Sequence, residues 1–354
     1  MISLVRQVGG ILLLNGVQVP WKSLSISSNN NYEADTFKAD VAVASLPKGL
    51  QRADISNLTT ITAEIRFSLD GKSWTSMLTG VVDKVRDDFV GGTIILDGRD
   101  NTASFLDAKT TANFMNQTSS QVVQKLAAGH GFTADVTATS AKTGQYYSSN
   151  YNRLTDEKTE WDLLTFLAKQ EGYAIWMTGT TVHFHPASQT YGTPVPIIYT
   201  PPTSASVASG NFISLVCGRE LTLAGDVSVQ VSSWNHKGKV ALTATAKATK
   251  QGRSTGKARS QLYILRGPGK TKAQADALAQ AKLEEISRHE RSIELGLPAD
   301  LTTTARSQIA LSGTQTSYDQ TYWVDTIDRS MEFDGGFKMT IKGKNHSPVT
   351  VITS

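Results

Sequence analysis

The stretch Thr159 to Pro186, TEWDLLTFLAKQEGYAIWMTGTTVHFHP, constrains the fold more than any other part of the chain, because it spells a helix, a stop and a hairpin in succession. Thr159 caps the helix through its side-chain oxygen, and Glu160 and Asp162 in the first turn suit the positive end of the helix dipole. Gly172 supplies a left-handed stop. Tyr173 to Met177 and Thr180 to His185 are β-branched or aromatic runs around Thr178-Gly179, so two short strands meet at a tight turn. Inside the helix, Asp162, Thr165 and Lys169 form one narrow polar stripe, while Trp161, Leu163, Leu164, Phe166, Leu167 and Ala168 cover most of the rest. Such a helix is expected to be covered on more than one side, either by its own domain or by another subunit. Trp161 and Phe166 are therefore candidate subunit contacts.

A chain of 354 residues is long enough for two or three domains with real cores. With 39% hydrophobic and 19% charged residues it is an ordinary folded composition with few charges, compatible with surface lost to neighbouring subunits. The net charge of +4 is spread except around Lys237 to Lys272, too weak a balance for a nucleic-acid binder. That basic stretch reads as a solvated loop. The single cysteine, Cys217, excludes an internal disulfide framework and a cysteine-ligated metal site built from this chain alone, and fits cytosolic synthesis. The opening MISLVRQVGGILLLNG lacks the features of a signal peptide, and no segment approaches about eighteen apolar residues, so neither export signal nor membrane span is expected.

Residues 1 to about 100 read as strands. Gly10 to Val19 folds around Asn15-Gly16, a strong two-residue hairpin signal, and Leu24 to Ser27, Thr36 to Val43, Thr60 to Ser68, Trp74 to Val85 and Thr93 to Leu96 follow. Their links are too short for crossover helices, so they pair antiparallel. Ser119-Ser120 opens a helix that Gly129 stops. Residues 133 to 158 read as a long polar loop whose Tyr146, Tyr147 and Tyr151 are candidate partner contacts. Pro186 to Ser209, with Pro194, Pro196, Pro201 and Pro202, reads as a linker. Strand patterns resume at Phe212 to Leu223 and Asp226 to Trp234. Residues 236 to 260 are a low-complexity stretch expected to be exposed, and a helix follows over 271 to 289 with Ala275, Leu278, Ala279, Leu283 and Ile286 on one face. Strands then fill the end of the chain: Ser292 to Leu297, Gln308 to Leu311, Gln320 to Ser330 and Gly336 to Lys342.

Chemistry-bearing motifs are sparse. There is no Gly-x-x-x-x-Gly-Lys-Ser/Thr, no Gly-x-Ser-x-Gly and no His-Glu-x-x-His. His183 and His185 share one strand face and could begin a metal site, but no third ligand is near in sequence, so a polar strand face is the expectation and no metal or other cofactor is assigned. Asp156, Glu157, Glu160 and Asp162 resemble paired catalytic carboxylates, but helix-dipole complement and loop solubility explain them more simply. Cys217 reads as a small core residue rather than a nucleophile.

Three stretches carry a resemblance. LDGRDNTASFLDAKTTANFMNQTSSQVVQKLAAGHGF, Leu96 to Phe132, has a strand, Gly-Arg-Asp and a helix; the Trp-Asp-Leu-Leu helix with Glu171-Gly172 and its strand pair follows; Lys272 to Lys342 runs from an Ala-rich helix to Tyr322-Trp-Val-Asp-Thr-Ile and Gly-Phe-Lys-Met-Thr-Ile. In that order they resemble the baseplate hub of phage tails, the family of the late control gene D proteins and of the N-terminal part of the type VI secretion spike. The resemblance implies an α+β, mostly β fold: two β-barrel-like tube domains, 1–100 and 191–354, bracket a small α/β central domain at 101–190. It also implies a non-enzymatic homotrimer in the virion baseplate, made in the host cytoplasm. Its ring would join the tail tube or a tube initiator to the central spike, meet baseplate wedge proteins, and pass DNA only as cargo. A peptidoglycan-degrading tail enzyme and a carbohydrate-binding surface module are the alternatives.

Overall fold

The computed structural model describes residues 7–30, 32–109, 114, 116–140, 159–187, 191–221, 226–235, 240–247, 260–266, 272–287 and 290–345. Among these, strands far outnumber helices, as the α+β, mostly β expectation has it. The chain forms two compact units. The first is Met1–Gly192 with Pro298–Arg306 and Thr326–Met339; the second is Thr193–Leu297 with Ser307–Asp325 and Thr340–Ser354.

In the first unit, Asn15 and Gly16 carry φ of 48° and 78°, the left-handed pair that a two-residue hairpin turn needs, and they join Gly9–Leu14 to Val17–Val19. From that hairpin the sheet continues through Thr62–Ser68, Thr75–Asp88, Thr93–Asp100, Thr36–Ala42 and Trp21–Asn29 to the Thr326–Glu332 part of strand Thr321–Glu332. Every neighbouring pair is antiparallel. Period-two alternation sends Leu24, Ile26, Ala39, Val41, Ile65, Phe67, Ile94 and Leu96 into one core. Each large side chain buried there contributes about 1.5–3 kcal/mol of transfer free energy.

The middle of this unit has its own core and sheet. Helix Ser119–Gly129 starts on a reciprocal capping box between Thr118 and Gln121. Helix Glu160–Glu171 starts on another between Thr159 and Asp162 and ends on Gly172 at φ 70°, so both ends follow the sequence signals. The hairpin strands are Tyr173–Thr178 and Thr181–Pro186, with Gly179 at φ 58°. The turn sits one residue later than Thr178-Gly179, because Thr178 still pairs with Thr181 in the ladder. Trp161, Leu163, Leu164, Leu167 and Ala168 bury against Val122, Val123, Ile175 and Phe184.

A third strand departs from the sequence expectation. Thr133–Val136, read as the start of a loop, pairs parallel with Thr181–Phe184. A four-residue strand at the edge of a sheet has little periodicity to show, and its partner is 48 residues away.

In the second unit, Val195–Thr200 pairs parallel with Gln308–Ser312, which pairs antiparallel with Thr321–Trp323. Ser214–Arg219 pairs antiparallel with Arg291–Gly296. The expected linker Pro186 to Ser209 thus contains a strand, with Pro196 opposite Ala310. A separate sheet has Asp226–Asn235 between Val240–Lys247 and Ser260–Arg266. Within the stretch read as an exposed extension, Val240–Lys247 is a strand that leaves Ala241, Thr243, Thr245 and Lys247 exposed and turns Ala244 toward helix Lys272–Ser287, where Val227, Val229 and Val231 meet Ala275, Ala279 and Leu283.

Candidate functional site

The Gly-Arg-Asp of the sequence, Gly98 to Asp100, ends a strand at the start of helix Ala103–Asp107, and each residue has a physical task there. A Cβ on Gly98 would lie 2.2 Å from the Val81 carbonyl oxygen and 2.5 Å from the Phe37 ring, so only glycine fits. Arg99 donates through Nε and Nη2 to both carboxylate oxygens of Asp83 at 2.7 Å, and through Nη1 and Nη2 to Asp107 at 3.2 and 3.1 Å. Asp100 accepts from the Thr102 amide and hydroxyl, each at 3.1 Å, and fixes the turn into the helix.

Around this junction the first unit carries buried charge. Burial, with the Asp35 charge adding to it, raises the Asp100 carboxyl to about 7. Burial also raises Asp35, against hydrogen bonds from Asn29 and Ser28 and the charges of Arg306 and Arg329. Arg329 is 2% exposed; its Nε donates to the Asp300 carbonyl at 3.0 Å and its Nη2 to the Thr303 carbonyl. A cleft of about 570 Å³ opens here, lined by Tyr32, Asp35, Trp176, Thr303 and Arg306 among others.

The helix-hairpin module is held at the same place. Trp161 Nε1 donates to the Tyr32 carbonyl at 2.6 Å, the Tyr32 hydroxyl donates to the Tyr173 carbonyl at 3.2 Å, and Asn101 Nδ2 donates to the Gly179 carbonyl at 2.8 Å. Arg306 lies 4.7 Å from the Trp176 ring centroid and donates to the Ile175 carbonyl.

Of the expected contact residues, Trp161 is 3% exposed and fills the module's own core, whereas Phe166 is half-buried at that core's edge. Tyr146, Tyr147 and Tyr151 fall outside the described residues. The carboxylate cluster separates: Asp162 caps its helix, Glu160 Oε2 meets His130 Nε2 at 2.6 Å, and Asp156 and Glu157 fall outside the described residues. Cys217 is half-buried and desolvation raises its thiol, which disfavours a thiolate.

Two features were missed. The sheet face opposite helix Lys272–Ser287 presents Trp234, Leu262 and Ile264, the last two 58% and 63% exposed. An exposed apolar face of this kind is a candidate association surface. Its signal lay in the alternation of QLYILR. The second is Asp135, which the parallel register sets opposite His183; among the described residues, Asp135, His183 and His185 form the group with metal-ligand geometry.

The family model described as phage tail baseplate hub (GPD) matches residues 34–332. The chain belongs to the phage tail baseplate hub family. No curated protein sequence matches it. The hub fold is shared with a tail protein from Neisseria meningitidis MC58 at 14% identity and TM-score 0.71, covering 96% of each chain. A 43 kDa tail protein of prophage MuSo2 from Shewanella oneidensis is 14% identical with TM-score 0.66, over 95% of this chain and 98% of that one. An Escherichia coli type VI secretion component, itself described as similar to phage T4 tail proteins, is 10% identical with TM-score 0.55, over 97% of this chain and 79% of that one. As a hub-family member the chain has a structural tail role. Among the described residues no helix is long and apolar enough to cross a membrane.

Proposed function

We propose that three copies of this chain close into a ring at the tail baseplate of a phage or phage-like particle, joining the tail tube to the central spike and seeding tail assembly. The family match over residues 34–332 carries this reading, supported by a fold that follows a tail protein along 96% of its length. The ring acts by geometry, without catalysis, and DNA passes through it as cargo. The β-rich ends, 1–100 and 191–354, supply two barrel-like tube domains per copy, and 101–190 stands apart from the ring, so that three-fold symmetry meets six-fold symmetry. Tube or initiator protein takes one ring face and spike the other, with wedge proteins outside. The assembled particle is a virion tail, made in the host cytoplasm.

The subunit contacts proposed are the Trp234, Leu262 and Ile264 face, with Phe166 and the tyrosines Tyr146, Tyr147 and Tyr151 as further partner contacts. Light scattering on the purified chain tests the trimer. The expected mass is three times the 38.2 kDa of one chain. Ile264→Lys is expected to shift it toward the single-chain mass while leaving the circular dichroism spectrum unchanged. A chain that stays monomeric at high concentration, with spike protein added, overturns the reading.

A further inference from the structure

We propose that Asp135, His183 and His185 form a binding site for a late first-row divalent cation of the zinc class. His183 and His185 alternate on strand Thr181–Pro186 and project to one face, and the parallel register sets Asp135 directly opposite His183. One carboxylate oxygen, Asp135 Oδ2, lies 3.1 Å from His183 Nδ1 and 3.2 Å from His185 Nε2. The three ligand atoms all lie within 4.8 Å of one another. Two imidazoles and one carboxylate form a donor set suited to zinc or its neighbours, with an open position for water.

The surroundings hold the rings in place. His185 Nδ1 lies 2.9 Å from Thr137 Oγ1; with the Nδ1 proton donated to that hydroxyl, Nε2 presents its lone pair toward Asp135, the outer hydrogen bond that metal-bound histidines make. Trp176 stacks on His183 at 4.9 Å and 15°, and its ring centroid lies 5.8 Å from that of His185. Simple ion pairing explains this arrangement poorly. The Asp135 side chain is 59% exposed, and a carboxylate so open to water gains little from pairing, yet two ordered imidazoles converge on one of its oxygens. A cation between them accounts for the convergence and ties the short edge strand Thr133–Val136 to the hairpin. The open side of Asp135 leaves the remaining position to water.

Equilibrium dialysis of the full chain against zinc chloride, with cobalt chloride as a spectroscopic probe, tests the site. One ion per chain is expected, with the intense visible bands of four-coordinate cobalt. His183→Ala and His185→Ala remove them, Thr137→Val weakens binding roughly 10-fold or more, and His130→Ala changes nothing. A readout on the unaltered chain guards against misfolded variants: zinc is expected to protect His183 and His185 from diethylpyrocarbonate, mapped by mass spectrometry. The proposal is overturned by an absence of saturable binding, by bands that survive both histidine substitutions, or by protection confined to other histidines.

Discussion

The indole N–H of Trp161 donates a 2.6 Å hydrogen bond to the carbonyl of Tyr32, a residue 129 positions earlier in the chain. Tyr32 in turn donates its hydroxyl to the Tyr173 carbonyl, and Lys169 lies 5.1 Å from its ring centroid. One loop residue thereby fixes both the helix and the hairpin of the central module within the first unit. Trp161→Phe keeps most of the buried area but removes the donor, and is expected to cost roughly 1–2 kcal/mol. Trp161→Ala also opens a cavity and is expected to cost about 3–5 kcal/mol. Urea denaturation of both variants measures the difference.

Asp100 gives the first unit a pH dependence of defined sign. Its folded value of about 7 lies above the ordinary value of about 3.9, so between these the native state holds more protons than the unfolded one. This contribution is complete below about pH 4 and is lost as pH rises toward 7, at up to ~1.4 kcal/mol per pH unit. Asp35, raised in the same direction, adds to it. Asp100→Asn cannot ionise, and its stability relative to the parent is expected to improve as pH climbs from 4 to 7. Thermal melts of both proteins across that range give the difference curve; parallel curves contradict the assignment.

Gly98→Ala tests the close approach beside Arg99. The added methyl meets the Val81 carbonyl on the neighbouring strand as well as the Phe37 ring, so backbone has to yield. A loss of roughly 1–3 kcal/mol is expected by chemical denaturation. Gly92→Ala is the control: its Cβ meets nothing within 4 Å, so any loss there reflects only its φ of 61°.

In the second unit, Glu290 is 1% exposed and its carboxylate lies 3.2 Å from Arg219 Nη2. Arg219→Ala removes the nearer guanidinium and leaves Arg291 Nε at 3.8 Å from the carboxylate, so the expected cost is roughly 1–3 kcal/mol, less than stripping a buried charge of every partner. Denaturation of Arg219→Ala and of the Arg219→Ala, Glu290→Gln double variant reads the coupling; partial recovery in the double variant is expected.

What was legible in the sequence was local. The Asn15-Gly16 turn, the Thr159 cap and the Gly172 stop are decided within a few residues, and each lies where its chemistry indicated. The Thr133–Val136 strand was not legible, because four residues at a sheet edge gain their pairing from a hairpin far along the chain. With it went Asp135, the third side chain of the group that includes His183 and His185. Val195–Thr200 was hidden by its prolines, and Val240–Lys247 by a composition rich in alanine and threonine, of which Ala244 is buried in the core and Ala246 packs against it. Gly-Arg-Asp was legible as a pattern, but its reason, a strand approaching too closely for a side chain at Gly98, is a tertiary fact.

The proposed ring takes two β-rich domains from each of three subunits. Electron cryomicroscopy of the purified assembly, reconstructed without imposed symmetry, tests it most directly. The expected reconstruction is a closed ring of three chains with six β-rich lobes around a central channel. A monomer, or a closed ring with any other number of chains, contradicts it.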